Sequence, residues 1–202
     1  MKHAQRKTKR PCPGCGMNPN LCFCASMPSI ATQTRVSLLI HHRELQKTTN
    51  TGRLAVRALQ NSEIFVRGLK DETLDLSKLK DPDFLPLFFY PSPEAMELAE
   101  CLKQHPGRAI HLIVPDGNWR QASKVFKRHP ELQSITKVKI SEANTAQYHL
   151  RKEHFAEGYS TLEAIAKALF MIEGEIAGAE LMKLYKTKLQ ASLQARGRIA
   201  KT

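Results

Sequence analysis

Three short, largely apolar runs, over 35–40, 85–90 and 109–114, lack the apolar–polar alternation of a half-exposed strand. A strand covered on both faces reads this way, so the runs limit the chain to folds with a fully buried sheet. Each run is followed by polar residues and then by a segment with helical apolar spacing. These segments are 53–60 (Leu54, Val56, Ala58, Leu59), 94–104 (Met96, Leu98, Ala99, Leu102) and 117–128 (Ala122, Val125, Phe126). Shorter apolar stretches at 63–66 and 137–140 read as further strands, and a threonine or asparagine in 48–51 is available to cap the first helix. The expected class is an α/β sheet with covering helices.

The chain of 202 residues can bury one core and carry a small appendage, but is short for two full domains. Residues 147–158 read as irregular, and helices are expected over 161–173 and 175–195. In the last, Ile176, Ala179, Met182 and Tyr185, with Leu181, Leu184 and Leu189, form an apolar band opposite Lys183, Lys186 and Lys188. Cys101 reads as an ordinary buried helix residue.

Four of the five cysteines, Cys12, Cys15, Cys22 and Cys24, are spaced C-x2-C-x6-C-x-C. Pro13-Gly14 makes a turn that lets the first two thiolates converge, and the second pair closes a tetrahedral site, for which zinc is the default metal. The alternative is a chance cluster of thiols in an arm. Residues 1–28 are therefore expected to form a basic arm and zinc knuckle, with the globular domain over 29–202.

Lysine and arginine number 31 against 19 acids, a formal charge of +12. Such an excess favours a polyanionic partner. No segment approaches the roughly 18 apolar residues of a membrane span, so a soluble, cytoplasmic protein without membrane attachment is expected. Lys7, Lys9 and Arg10 precede the knuckle, and Arg120, Lys124, Lys127 and Arg128 recur at intervals of three and four with no acid among them. With Arg53 they form a candidate phosphate-binding footprint, against the plainer reading of a solvated helix face.

Ligands of open α/β sheets bind at the carboxyl ends of strands. Three polar segments fall there, 41–53, 90–93 and 115–121. Asp116 is the first charged position after an apolar strand, where a carboxylate can act on a proton or cap the following helix; both roles can hold together. Trp119 reads either as a core anchor or as a wall of the same pocket. The 48–53 loop is not a nucleotide-triphosphate cradle, the glycines make no dinucleotide fingerprint, and no serine elbow is present.

Taken with the four cysteines, His42-Arg43-Glu44, Thr49-Asn50-Thr51-Gly52-Arg53, Tyr90-Pro91-Ser92, Asp116-Gly117-Asn118-Trp119, Arg151-Lys152 and Ser160-Thr161-Leu162-Glu163-Ala164 resemble the DTW-domain family along nearly the whole chain. Asn118 stands where the family has threonine. The resemblance, to its bacterial type, implies a SPOUT-like fold with a C-terminal knot. It also implies transfer of the 3-amino-3-carboxypropyl group of S-adenosylmethionine to N3 of a uridine in the tRNA variable region. It places Asp116 and Trp119 at the reaction centre, with Asp116 as general base or orienting group. Tyr90, Pro91, Ser92, Pro115, Gly117, Tyr148, Leu150, Ser160, Thr161 and Ala164 would line the cosubstrate pocket. Arg151 would meet the cosubstrate carboxylate or an RNA phosphate, and Glu163 a polar loop, the amino group or only its own helix turn. A monomer acting on tRNA is expected. Two other classes fit the residues: a SPOUT-like RNA methyltransferase, and a non-catalytic zinc-containing RNA-binding protein that leaves Asp116 and the 160–164 motif without a role.

Overall fold

A computed structural model of the chain describes residues 10–69, 74–117, 119–122, 124–141 and 159–197. The described strands are β1 (Arg35–His41), β2 (Ser62–Arg67), β3 (Leu85–Phe89), β4 (Met96–Glu97), β5 (Ile110–Asp116) and β6 (Thr136–Lys139). The helices are α1 (His42–Leu45), α2 (Gly52–Ala58), α3 (Leu98–Gln104), α4 (Trp119–Ala122), α5 (Val125–Arg128), α6 (Thr161–Glu173) and α7 (Glu175–Ala195). All strand pairs are parallel, in the order β2-β1-β5-β3-β6-β4.

The runs without alternation became the centre of this sheet. All of β5 is buried, as is the interior of β1, because apolar layers cover both faces. On one face, Val36, Leu38, Ile40, Leu112 and Val114 pack against Leu54 and Ala55 of α2, Leu98 and Cys101 of α3, and the α6–α7 pair. On the other, Leu39, Phe88 and Ile113 meet Leu76, Leu79, Val125 and Leu132. Cys15, Met17 and Phe23 join the first of these layers, so the cysteine segment packs into the main core.

Four expectations are corrected. The helix over 117–128 is two short pieces, α4 and α5, and the Gln121 carbonyl in α4 accepts from Arg67 Nη2 at 2.9 Å. Arg120 and Lys124 to Arg128 thus do not form one helical stripe. The helix over 94–104 begins only at Leu98, since Met96 and Glu97 extend to pair with Val138 and Lys139 of β6. In α7, Lys188 lies inside and not on the polar face, drawn there by three acceptors around its ammonium. Ile176, expected in the apolar band, is 84% exposed because the buried stripe runs through Ala177, Leu181 and Leu184. The strand over 109–114 extends to include Asp116, while α6 and α7 start and end at the expected residues. The irregular segment expected over 147–158 lies outside the described residues.

The α6–α7 pair closes on a glycine. A Cβ at Gly178 would lie 2.5 Å from two ring atoms of Phe170 and 2.8 Å from its backbone nitrogen. Gly178→Ala is therefore expected to cost about 1–3 kcal/mol by forcing the helices apart. An unchanged urea midpoint would contradict that contact.

His111 on β5 is fully buried, with Nε2 2.7 Å from the Ser37 hydroxyl, which itself donates to Glu63 at 3.2 Å. Burial pushes its pKa from 6.5 down to about 4, and the neighbouring Arg35 adds to the shift. The unfolded chain binds a proton there from about pH 6.5 downward while the native protein resists until about pH 4. Stability should thus fall across that window, by up to about 3 kcal/mol from this group. His111→Gln should flatten the slope of urea stability against pH in this range, and an unaltered slope would refute the assignment.

Candidate active site

The strand order creates a crevice by topology alone. From β1 the chain crosses to β2 on one side, and from the adjacent β5 it crosses toward β6 on the other. The connections diverge at the carboxyl ends of β1 and β5, the switch point where ligands of such sheets bind. Asp116 is the last residue of β5 and is paired in register with Ile40 of β1. Its side chain points to the face covered by α2 and α6, in phase with Leu112 and Val114.

Two loops converge on this carboxylate. Asn50 donates from Nδ2 to Asp116 Oδ2, and Thr161 donates from its hydroxyl to Oδ1 at 2.6 Å. Asn50 is itself fixed because its Oδ1 accepts the Arg53 amide at 3.1 Å and its own amide donates to the Lys47 carbonyl at 3.0 Å. Asn50 therefore holds the start of α2 through a side chain one position before the Thr51 cap. Thr51 uses its hydroxyl elsewhere, accepting the Leu162 amide at 3.4 Å. The start of α6 is organised by a capping box between Ser160 and Glu163. An anionic carboxylate at the start of this helix also lies at the favourable end of its dipole.

Glycine makes the convergence possible. A Cβ at Gly52 would stand 3.1 Å from Asp116 Oδ2 and 3.0 Å from a Leu38 methyl. Beside Asp116, a Cβ at Gly117 would come within 2.9 Å of the Gln121 amide oxygen and 3.5 Å of Arg67 Nη2. Arg67, 5% exposed, tilts from the end of β2 under this turn. Burial lowers the pKa of its guanidinium, Arg128 adds to that, and the Asp116 carboxylate opposes both.

The other expected pocket residues fall as follows. Pro115 is buried beside Asp116, Gly117 half-buried after it, and Ser160, Thr161 and Ala164 half-buried at the start of α6. Tyr90, Pro91 and Ser92 follow β3, the neighbour of β5 on the side away from β1, and the Tyr90 amide donates to the Val138 carbonyl at 3.0 Å. Trp119 and Arg120 start α4, immediately beyond the switch point. Lys7, Lys9, Tyr148, Leu150 and Arg151 lie outside the described residues. Arg10, Lys124, Lys127 and Arg128 are exposed. Arg53 is engaged within the fold, its guanidinium donating to the carbonyls of Leu45 and, at 3.0 Å, Pro13. Arg67 and Lys188 escaped sequence reasoning: the strand-end position of Arg67 was the available signal, and nothing in the spacing of α7 marks Lys188.

The four cysteine sulfurs lie within 4.8 Å of one another, with separations of 3.6 Å for Cys12–Cys24, 3.7 Å for Cys15–Cys22 and 3.5 Å for Cys12–Cys22. Tetrahedral thiolates around zinc, with bonds of about 2.3 Å, stand about 3.8 Å apart, so the donor set fits such an ion. Backbone N–H groups of Cys15 and Gly14 directed at the Cys12 sulfur, helped by the neighbouring thiols, bring its pKa down to about 6.

The DTW domain matches residues 9–193, and the chain belongs to that family. Among curated proteins it is similar to tRNA-uridine aminocarboxypropyltransferase 2 of Macaca fascicularis, 25% identical over 177 residues, covering 83% of this chain and 58% of the relative. The Mus musculus protein of the same name is 25% identical over 179 residues, covering 86% and 59%. That of Drosophila melanogaster is 25% identical over 169 residues, covering 80% and 66%. The chain thus spans less than two thirds of the length of these relatives. No solved structure matches it.

Thr161→Val keeps the shape of the side chain and removes its donor from a buried carboxylate. A loss of about 1–3 kcal/mol is expected in urea unfolding. A change below about 0.5 kcal/mol would mean that the hydroxyl does not hold Asp116.

Proposed function

We propose that this protein is a tRNA-modifying transferase that moves the 3-amino-3-carboxypropyl group of S-adenosylmethionine to N3 of a uridine in the tRNA variable region. The observation that carries the proposal is the buried Asp116 carboxylate, held from two sides at the switch point of a parallel sheet. Membership of the DTW family and the names of the relatives supply the reaction class.

The transfer forms a bond from N3 to the γ-carbon of the aminocarboxypropyl group and breaks the bond from that carbon to sulfur. The bonding pair stays on sulfur, which leaves as neutral methylthioadenosine, and the N3 proton must pass to a base. Sulfonium cosubstrates carry three activated carbons, so the product is decided by which carbon is held in line with the nucleophile. Asp116, a carboxylate at the strand end whose oxygens are oriented by Asn50 and Thr161, can take or orient the N3 proton. The loops after β3 and before α6, with Tyr90, Ser92 and Ser160, supply the walls and polar partners that an adenosyl group needs. Trp119 offers a stacking face for a splayed uridine.

The wider reading is a SPOUT-like domain with a C-terminal knot, acting as a cytoplasmic monomer. Zinc held by Cys12, Cys15, Cys22 and Cys24 has a structural role, since four thiolates leave it no open position. Exposed Arg10, Lys124, Lys127 and Arg128, with Arg120 and Arg151, bring the tRNA phosphates to the cleft.

Purified protein is incubated with unmodified tRNA and S-adenosylmethionine labelled in the methyl group or in the aminocarboxypropyl carboxylate. Carboxylate label should enter a uridine, and Asp116→Asn should lower that rate by about 10²-fold or more. Methyl label in the RNA would make the protein a methyltransferase, and label from neither would favour an RNA-binding role. Full turnover by folded Asp116→Asn would remove Asp116 from the chemistry.

A further inference from the structure

Lys188 sits in the last helix, four turns from its start, yet its side chain is among the largest that are fully buried. An ammonium has three donors and costs several kcal/mol to desolvate unless each finds a partner. All three partners are present. Nζ donates to the Cys15 carbonyl at 2.9 Å, the Thr48 carbonyl at 3.0 Å and the Met17 sulfur at 3.1 Å. Two of these acceptors belong to the cysteine knuckle and the third to the loop before α2, so a single cation from α7 joins segments distant in sequence.

Other contacts place the same two segments against each other. A Cβ at Gly16, whose φ is +72°, would stand 2.9 Å from the Thr48 carbonyl oxygen and 3.0 Å from Thr48 Cα. Arg53, at the start of α2, donates to the Pro13 carbonyl at 3.0 Å. Two residues beyond Thr48, Asn50 donates to Asp116. A continuous path of backbone and hydrogen bonds therefore runs from the cysteine cluster through Lys188 and Thr48 to the carboxylate at the switch point.

We propose that Lys188 is a positioning residue that locks the four-cysteine knuckle to the 48–51 loop, so that the state of the knuckle sets how firmly Asn50 is presented to Asp116. The knuckle then acts on the site through the protein, beside any contact it makes with RNA. An apolar residue would fill the same space and leave the Cys15 and Thr48 carbonyls unjoined, which gives a reason for a cation in a helix face that otherwise buries uncharged residues. The inference takes from the proposed function only that the knuckle holds zinc, and it does not depend on the reaction.

Lys188→Met keeps the volume and removes the ammonium. Hydrogen exchange of the Asn50 and Arg53 amides, which report the two bonds that shape the loop, should accelerate about tenfold or more, the size expected from losing a hydrogen bond to a charged group. Zinc release to a chelator should accelerate as well, while amides of β5 and of α6 stay protected. Unchanged Asn50 and Arg53 amides would overturn the proposal, and so would uniform acceleration through β5 and α6, which is the mark of a merely structural lysine. Should the variant fail to fold, the wild-type protein gives the same answer: stripping zinc should speed the Asn50 and Arg53 amides selectively, and no response overturns the coupling. Elemental analysis of the sample tests the zinc assignment separately. In a protein without zinc, thiol alkylation rates serve as the knuckle readout for Lys188→Met, with faster alkylation expected and an unchanged rate contradicting the lock.

Discussion

The candidate site depends on one buried carboxylate with two donors from opposite directions. Asp116 is 4% exposed, and a carboxylate in that position is tolerated only where hydrogen bonds replace its water. Asn50 brings the loop after β1 and Thr161 brings the start of α6, so satisfying Asp116 and assembling the cleft are the same event. The Gly52 backbone, where an added Cβ would stand 3.1 Å from Asp116 Oδ2, marks how tightly these pieces meet.

The sheet supplies the place and the loops supply the chemistry. Parallel strands buried on both faces can be covered only by crossover helices, and the diverging connections from β1 and β5 open a crevice at their carboxyl ends. At that end the Ser160–Glu163 capping box orders the start of α6, and Arg67 braces the segment after the Gly117 turn through the Gln121 carbonyl. The cysteine knuckle belongs to the same construction, since Cys15 and Met17 lie in the main core and are tied to α7 by Lys188.

Much of this was legible in the sequence. Apolar runs without alternation located β1, β3 and β5, because burial on both faces removes the need for polar positions. α6 spans the expected residues, its start closed by the Ser160–Glu163 capping box and its end by Gly174. Asp116 stood out as a charge directly after an apolar run, and the cysteines by spacing. What sequence periodicity missed was decided by tertiary partners. Arg67 reaches the Gln121 carbonyl where one helix was expected after Gly117 and two short ones stand, and pairing with β6 draws Met96 and Glu97 out of α3. Lys188 looks like any solvent-facing lysine until the Cys15 and Thr48 carbonyls, more than a hundred residues away in sequence, are brought to it.

The central claim is that Asn50 and Thr161 act on one shared carboxylate, and a double-mutant cycle tests it most directly. Urea unfolding of Asn50→Ala, Thr161→Val and the double variant gives the coupling between two side chains that share the Asp116 carboxylate. The structure predicts a non-additive interaction of about 0.5–3 kcal/mol, because the second loss falls on a carboxylate already weakened by the first. Additivity to within about 0.3 kcal/mol would contradict it and mean that the two loops are held in place independently of Asp116.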